Sequence, residues 1–186
     1  MPAALSSSPA PVAPPSSFED VKVGDTFTSA YVEITSDRIR TFIDATDDYH
    51  PQHVDDSSVS SHPVFRKACA QGVFLVSILD SLMTRGWLRH FAHSLNYGLD
   101  TVRFVRPVYV GERVRARYTV VLATIRDAQW GRVGVVSELL DAEEKVVLYA
   151  ENIFLFGRRV DPNKATAAAR GSVARRYAHP TTSTKR

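Results

Sequence analysis

A long apolar segment in the middle of the chain constrains the fold more than any other feature. The segment ACAQGVFLVSILDSLMTRGW, residues 68–87, is apolar on nearly every side from Ala68 to Met83 when it is placed on a helix. A helix of that kind is buried rather than laid on a surface. Gly86 suits its C-terminal end, and Gly72 lies near its start, where backbone N–H groups have no partner within the helix. The sequence therefore predicts a buried helix that other elements must surround.

The second half of the chain has the alternation that is typical of strands. The segment RVRARYTV, residues 113–120, alternates with a period of two, which indicates a strand with one wet face. One face carries Arg113, Arg115, Arg117 and Thr119, and the other carries Val114, Ala116, Tyr118 and Val120. The segments GRVGVVSELLD and KVVLYAENIFLF, joined by AEE, indicate a hairpin. With NYGLDTVRFVRPVYVGERV before them, these segments predict four long strands.

A strand and a short helix are predicted upstream of the apolar segment. Residues 26–34 follow a Gly-Asp turn and are expected to form a strand. Thr35 or Ser36 can cap a helix, and apolar residues then recur at helical spacing. Pro51 cannot continue that helix, so residues 45–56 are expected to be a loop that leaves it.

These elements together indicate an α+β protein, in which one long helix is wrapped by an antiparallel sheet. We expect a single domain at residues 18–157. The Pro/Ser/Ala-rich head, residues 1–17, is expected to be extended and disordered. The basic tail, residues 158–186, has little apolar periodicity and is also expected to be disordered.

Composition narrows the classes of function. The formal net charge of +3 hides an acidic body, because the tail holds eight Lys and Arg against one Asp. That balance does not favour nucleic-acid binding. No apolar run reaches the roughly 18 residues that span a bilayer, and the N-terminus lacks the features of a signal peptide. A single cysteine, Cys69, fits a reducing compartment, so a cytoplasmic location is expected.

The segment ATDDYHPQHVDD, residues 45–56, concentrates titratable groups: four Asp and two His in twelve residues. A metal site is disfavoured because Pro51 breaks the helix and no further cluster of His or Cys lies nearby. Two interpretations stay open on the residues alone. One is a solvated loop, and the other is an acid–base pair of one Asp and one His, held between two elements that pack together.

Three segments carry a resemblance to one family. TDDYHPQHVD, residues 46–55, resembles the motif G-D-x-N-P-x-H-x-D of the MaoC-like dehydratases, the family of the R-specific enoyl-CoA hydratases. AQGVFLVSIL, residues 70–79, resembles that family's A-H-G-[ML] opening of the central helix. GLDTVRFVRPVYVGERVRA, residues 98–116, resembles its later segment R-F-x-x-P-V-x-x-G-[DE]. Order and spacing agree across roughly residues 18–157.

The resemblance implies a hot-dog fold, a homodimer formed by joining sheets, and a reversible hydration of 2-enoyl thioesters. Asp48 and His53 match the catalytic Asp and His, which hold and deprotonate a water. Gly72 matches the glycine whose N–H binds the thioester oxygen. The resemblance implies no metal and no redox cofactor, since CoA or a phosphopantetheine arm is part of the acyl thioester substrate. The charge balance and the lack of a long apolar run lead us to expect no nucleic-acid and no membrane partner.

The sequence departs from the family pattern at three positions. Asp47 stands where the family has Gly, and a side chain there is expected to need a different backbone angle. His50 replaces an Asn that braces the loop, so it either braces the loop itself or adds a second titratable group to the site. Gln71 replaces the usual His before the glycine. His50 and Gln71 are predicted substrate-binding residues.

Further polar residues are candidates for binding substrate. Ser77 and Asp80 lie on the apolar helix, where Ser77 either lines the pocket or bonds its own helix. Asp80 either acts in substrate binding or pairs with a residue of the sheet. Arg103, and beside it Arg106, is expected to grip CoA phosphates or to face solvent or a dimer edge.

Two other functions stay open from the sequence. A thioesterase on the same fold would use Asp80 as its catalytic acid. A hot-dog subunit without activity, which shapes the substrate tunnel of another chain, is suggested by the departures at Asp47, His50 and Gln71.

Overall fold

A computed structural model describes residues 15–54, 57, 62, 63, 65 and 67–159 of the 186-residue chain. Asp55 and Asp56 of the segment rich in Asp and His lie outside the described residues, as do most of the predicted head and tail. Within the described part, no helix is both long enough and apolar enough to span a membrane.

An antiparallel sheet forms the larger layer of the fold. Its strands are β1 (Thr26–Thr28), β2 (Val32–Glu33), β3 (Ser94–Phe104), β4 (Arg113–Ile125), β5 (Trp130–Leu140) and β6 (Val146–Gly157). The order across the sheet is β1-β4-β5-β6-β3, and β2 pairs with β4 beside β1. Every pair is antiparallel. β3 therefore lies at one edge of the sheet, and the short strands β1 and β2 form the other.

The alternation in the sequence decides which face of β4 is buried. Val114, Ala116, Tyr118 and Val120 are all buried, while the arginines between them lie towards solvent. β5 and β6 form the predicted hairpin and pair along their whole length. The prediction of an α+β layer with one long helix against an antiparallel sheet is confirmed.

The first strand predicted upstream, residues 26–34, is wrong as a single element, because it is split into β1 and β2. Ser29 causes the break. Its Oγ accepts a hydrogen bond from the backbone N–H of Ala116 at 2.9 Å, and its own N–H donates to the Ala116 carbonyl. A side chain thus replaces one backbone acceptor of the ladder, and the chain bends before it pairs with β4 again.

The first helix, α1 (Ser36–Thr46), begins where the capping pattern predicts. The Thr35 side chain accepts a hydrogen bond from the backbone N–H of Arg38, and Ile39 and Ile43 are buried.

The prediction that residues 45–56 form only a loop is wrong. Residues Pro51–Val54 form a one-turn helix, α2, which Pro51 begins. Proline suits the first helical position because its fixed φ matches the helix and its missing N–H would have no partner there.

The central helix, α3 (Gly72–Gly86), lies against β4 and β5. It begins four residues later than the apolar pattern predicts. Cys69 forms a β-bridge with Tyr109, and the N–H of Ala70 donates to the Val108 carbonyl at 2.8 Å. These long-range backbone hydrogen bonds hold the segment extended, so apolar residues that could continue the helix do not.

The apolar face of α3 forms the centre of the core. Phe74, Leu75, Leu79, Leu82 and Met83 are buried against the sheet. The hydroxyl of Tyr118 on β4 donates to the Leu79 carbonyl at 2.6 Å, and burial raises the pKa of that phenol above its usual range. The prediction that α3 is buried all round is only partly right, because Val73 remains 58% exposed.

Both ends of the described domain meet. Phe18–Asp20 form a 3-10 turn, and the Asp20 carboxylate accepts from the backbone N–H and hydroxyl of Ser17. Glu19 accepts from Arg158, and Arg159 pairs with Asp20. The N-terminal turn is thereby tied to the residues that follow β6.

Candidate active site

Asp48 and His53 face each other across the short connection between α1 and α2. The distance from Oδ2 of Asp48 to Nε2 of His53 is 4.0 Å. That is too long for a direct hydrogen bond, but a water oxygen about 2.8 Å from each atom fits between them. The side chain of His53 is 13% exposed and that of Asp48 is 39% exposed, so solvent reaches the pair from one side.

The orientation of the His53 ring is set by a backbone group. Its Nδ1 lies 2.7 Å from the carbonyl oxygen of Cys69. A carbonyl oxygen only accepts, so Nδ1 carries the proton and donates. Nε2 of the neutral ring is then the acceptor, and it is the nitrogen that faces Asp48. The hydrogen bond to the Cys69 carbonyl therefore directs Nε2 of His53 towards the same space as the Asp48 carboxylate.

Asp47 turns the chain out of α1. It is the C-cap of that helix and adopts the left-handed conformation, with φ 55 and ψ 26. Asp is one of the few residues with a Cβ that enter the left-handed region at modest cost. Asp47 therefore forms the left-handed turn that places Asp48 after the helix.

His50 braces the same connection. Its Nδ1 accepts a hydrogen bond from the backbone N–H of Gln52 at 3.2 Å, in the first turn of α2. This is the hydrogen bond that an Asn side chain makes when it caps a helix. Two roles were expected for His50, and this hydrogen bond corresponds to the one in which His50 braces the loop.

Gly72 is the first residue of α3, so its N–H belongs to the turn whose donors have no acceptor within the helix. The partial positive charge of the helix N-terminus adds to the pull on an anionic oxygen. A Cβ on Gly72 would lie 2.7 Å from the ring of Phe104, at the end of β3. The absence of a side chain at Gly72 is thus what lets Phe104 cover the start of the helix.

Replacing Gly72 with Ala is expected to lower the free energy of unfolding by about 1 kcal/mol, since a crowded Cβ forces its neighbours to shift. The Phe104 ring is 55% exposed and can move, which keeps the penalty small. Denaturant unfolding of Gly72→Ala, Phe104→Ala and the double variant checks this. The penalty at Gly72 should vanish when Phe104 is already Ala. Gly86→Ala, at the open end of the same helix, is the control. A Gly72→Ala variant more stable than wild type would contradict the expectation.

The other predicted binding residues on α3 have different surroundings. Gln71 is buried at the N-terminus of the helix, with 2% of its surface exposed. Ser77 is exposed, and its hydroxyl donates to the Val73 carbonyl of its own helix at 3.2 Å. Asp80 accepts from the side-chain amide of Asn96 on β3 at 2.8 Å. Asp80 lies eight residues after Gly72, roughly 12 Å along the helix axis. Asp80 therefore lies more than two helical turns from the Gly72 N–H.

The two arginines of β3 and its end differ in what they contact. Arg106 forms an ion pair with Asp141 at 2.8 Å, so its guanidinium is already paired within the chain. Arg103 is exposed, and its guanidinium donates to the backbone carbonyl of Val102. Arg103 directly precedes Phe104 on β3, so its side chain lies on the opposite face of the strand from the ring that covers Gly72.

A cleft of about 260 Å³ beside His53 was not predicted from the sequence. It lies between α1, α2 and the segment before α3. Its lining is mostly apolar, with Arg40 as its one arginine, and comprises Ser36, Ile39, Arg40, Ile43, His53, Val54, Ala68 and Val110. Clefts that enclose a whole small ligand are usually ~300–1,000 Å³. The cleft beside His53 is smaller than that, so it would enclose only part of such a ligand. The apolar residues at helical spacing after Thr35 include Ile39 and Ile43, but that spacing does not indicate a cleft.

Within residues 15–54 and 67–159 and the few described residues between them, no three side chains of His, Cys, Asp or Glu lie close enough together to hold a metal ion. The rings of His50 and His53 lie 6.0 Å apart.

Comparison with known proteins identifies the family. The family model described as the MaoC like domain matches residues 20–141. The chain belongs to the MaoC-like dehydratase family. That family comprises hydratases and dehydratases, and its hot-dog fold is the helix and antiparallel sheet described above.

Relatives with sequence similarity match part of the chain. The 3-hydroxyacyl-thioester dehydratase Z of Mycobacterium tuberculosis is 37% identical over 101 residues, which cover 54% of this chain and 64% of that protein. Nodulation protein N of Rhizobium meliloti is 33% identical over 103 residues, with 54% and 64% covered. The chain thus spans less than two thirds of these relatives.

The fold matches more completely than the sequence. A solved structure named as the monoamine oxidase regulatory protein of Archaeoglobus fulgius superposes with a TM-score of 0.73 at 27% identity. The match covers 78% of this chain and 97% of that chain. The MaoC-like hot-dog architecture is therefore present over nearly all of the described domain.

Proposed function

We propose that this protein catalyses the reversible hydration of a 2-enoyl thioester to a 3-hydroxyacyl thioester. The observation that carries the proposal is the 4.0 Å separation of Asp48 and His53, with the His53 tautomer set by the Cys69 carbonyl. An unprotonated nitrogen and a carboxylate then converge on one water. Membership of the MaoC-like family supports the reaction class.

The proposed chemistry begins with that water. It donates one hydrogen bond to Nε2 of His53 and the other to the Asp48 carboxylate, so its oxygen lone pair is free to attack. The oxygen adds to the β-carbon of the enoyl thioester, and the carbon–carbon double bond shifts electrons to the thioester oxygen. The proton taken from the water is delivered to the α-carbon. Dehydration follows the same path in reverse.

Gly72 stabilises the charge that develops on the thioester oxygen. Its N–H at the start of α3 donates to that oxygen, and the helix N-terminus favours negative charge there. The interaction strengthens as the enolate forms, so it lowers the barrier more than it tightens substrate binding. Phe104 covers this end of the helix and limits the access of bulk water.

The departures from the family motif are compatible with activity. Asp47 adopts a left-handed turn and His50 makes a capping hydrogen bond, so both residues support the loop that carries the pair. These observations favour an enzyme over a subunit without activity. For the substrate's carrier arm we propose CoA or phosphopantetheine, with Arg40 in the cleft beside His53 and the exposed Arg103 of β3 as cations for its phosphates. No metal or redox cofactor enters the proposed steps.

The test is a panel of enoyl-CoAs of increasing chain length, starting with crotonyl-CoA. Loss of the conjugated thioester absorbance, with a 3-hydroxyacyl-CoA as the product, is the expected result. Free thiol is measured in parallel, because thiol release that depends on Asp80 would indicate the thioesterase instead. No reaction with any member of the panel would count against the proposed function.

We also propose that two copies of the chain join through β3. That strand is an edge of the sheet, and within the described residues its backbone pairs only with β6. It carries exposed apolar side chains: Leu95, Tyr97, Leu99 and Phe104 are each between 40% and 59% exposed. A long edge strand with such side chains is an open template for pairing. A second copy paired in the opposite direction would cover it.

The dimer is tested with charges on the edge strand. Tyr97→Lys combined with Leu99→Lys is expected to give a monomer, because both side chains would bring like charges to the junction. Light scattering coupled to size exclusion measures the mass. Val121→Lys is the control, since Val121 is also 51% exposed but lies on β4, away from that edge. A double variant with the wild-type mass would contradict the proposed dimer.

A further inference from the structure

His50 holds the start of α2 through two hydrogen bonds. Its Nδ1 accepts from the backbone N–H of Gln52 at 3.2 Å, and its carbonyl oxygen accepts from the backbone N–H of His53 at 2.9 Å. An N-cap residue makes these two kinds of contact, one through its side chain and one through its carbonyl. His50 therefore caps the one-turn helix that carries His53.

This cap depends on the charge of the His50 ring. Nδ1 accepts only while it carries no proton, and both ring nitrogens of a charged histidine are donors. Protonation would replace the acceptor with a second donor that faces the Gln52 N–H. The side chains that usually cap helices, Ser, Thr, Asp and Asn, remain acceptors near neutral pH. A histidine cap differs from them because histidine ordinarily changes charge between pH 5 and 8.

The His50 ring is open to solvent and lies beside the candidate site. Its side chain is exposed, so protons reach it from solution. Its ring centroid is 6.0 Å from that of His53, so a charge on His50 would lie next to the proposed base. Among the described residues at the end of α1, in the connection and in the segment before α3, the other charged or titratable groups are Arg40, Asp44, Asp47, Asp48, Tyr49, Lys67 and Cys69.

The cap bears on catalysis because α2 is held from two sides. His50 holds its start, and on the other side the Cys69 N–H donates to the Gln52 carbonyl at 3.1 Å. The Cys69 carbonyl also holds the His53 ring at 2.7 Å. A helix of four residues is not stable by itself, so it needs these contacts. Without the cap the first turn loosens, and a shift of about 1 Å in a catalytic group can lower a rate on the order of 100-fold.

We propose that His50 is a positioning residue, which holds His53 in line with Asp48 only while the His50 ring is neutral. This inference rests on the proposed hydration. The neutral ring caps α2 and keeps the pair aligned, whereas the charged ring releases the Gln52 N–H and the alignment is lost. The fall of activity at acidic pH then depends on two histidines. His53 must be unprotonated to act as the base, and His50 must be unprotonated to position it.

His50→Asn tests the inference, because Asn caps helices and does not titrate. The value of kcat/KM for crotonyl-CoA hydration is measured from pH 5.5 to pH 8, where histidines change charge. The variant should match the wild type at the alkaline end and exceed it about tenfold at the acidic end, since a lost N-cap is worth roughly that factor. His50→Ala, which has no acceptor, should be about tenfold less active than the wild type at the alkaline end. His93→Asn, the same change at an exposed histidine before β3, is the control and should leave the pH profile unchanged.

Nuclear magnetic resonance of the protein without substrate separates this inference from the proposed function. In nitrogen-15-labelled protein, the signal of the Gln52 backbone amide should shift with pH at the same midpoint as the His50 ring. The shift should be absent in His50→Asn. That result without any hydration by the wild type would overturn only the proposed function. A Gln52 amide that does not follow His50, a wild-type pH profile in His50→Asn, or a His50→Asn protein that is inactive where the wild type is active would overturn the role of His50.

Discussion

Asp48→Asn is expected to lower kcat for enoyl thioester hydration by about a thousand-fold, within the range that general acid–base groups contribute. Asn has nearly the shape of Asp, but it cannot accept a proton from the water that bridges to His53. His53→Gln should lose a similar factor, because Gln can donate to the Cys69 carbonyl but offers no basic nitrogen to the water. Steady-state kinetics with crotonyl-CoA measures both, and circular dichroism verifies the fold.

Asp47→Asn is the matched control for this result. Asp47 and Asp48 are neighbours, so both substitutions remove one negative charge from the same turn. Asn also enters the left-handed region readily, so the turn at Asp47 should be kept. Activity within about threefold of the wild type is expected, as for surface changes that touch no reacting group. An equal loss in both Asp variants would assign the effect to the charge of the loop rather than to Asp48.

Gly131→Ala is expected to have the largest effect on stability, a loss of about 3 kcal/mol, as when a buried aromatic ring is removed from a core. A Cβ on Gly131 would lie 1.9 Å from the ring of Phe18, which is 9% exposed. The ring cannot rotate away cheaply, because Ser17 and Asp20 lock the turn that carries it. The variant would have to expel Phe18 from the core. Chemical denaturation measures the change.

Two further variants define that measurement. Gly98→Ala introduces the same methyl group into β3, where no atom lies within 4 Å of it, and should change stability by less than about 0.5 kcal/mol. In a Phe18→Ala background, Gly131→Ala should have almost no further cost, because the two sites are in contact and their effects are not additive. A Gly131→Ala protein as stable as the wild type would show that the N-terminal turn does not pack on β5 as described.

The sequence predicted those parts of the fold that local pattern decides. The alternation at residues 113–120 identified the buried face of β4, and Thr35 marked the start of α1. The start of α3 was placed too early for a physical reason. Residues 68–71 are apolar or neutral enough to continue a helix, but hydrogen bonds to Val108 and Gln52, distant in sequence, hold them extended. Such pairing leaves no local signal.

Some features of the candidate site were likewise predictable from the sequence, and others needed the structure. Residue types made an acid–base pair one of two interpretations of the segment, and the resemblance to the MaoC-like family assigned that pair to Asp48 and His53. The Cys69 carbonyl, which sets the His53 tautomer, is a backbone atom sixteen residues away and has no sequence signature. The roles of Asp47 and His50 also needed the structure. Residue type alone left the backbone angle of Asp47 and the role of His50 undecided, whereas the structure shows a left-handed turn at Asp47 and a capping hydrogen bond from His50.

The most direct test of the central claim is the origin of the hydroxyl oxygen in the product. Wild-type protein is incubated with crotonyl-CoA in water enriched in oxygen-18, and the product is analysed by mass spectrometry alongside Asp48→Asn. The account predicts a 3-hydroxybutyryl thioester with one heavy oxygen at the β-carbon, formed by the wild type about a thousand-fold faster than by the variant. Equal rates of labelled product formation by both proteins would contradict the assignment of the water to Asp48 and His53. Release of labelled free acid would contradict the hydration itself.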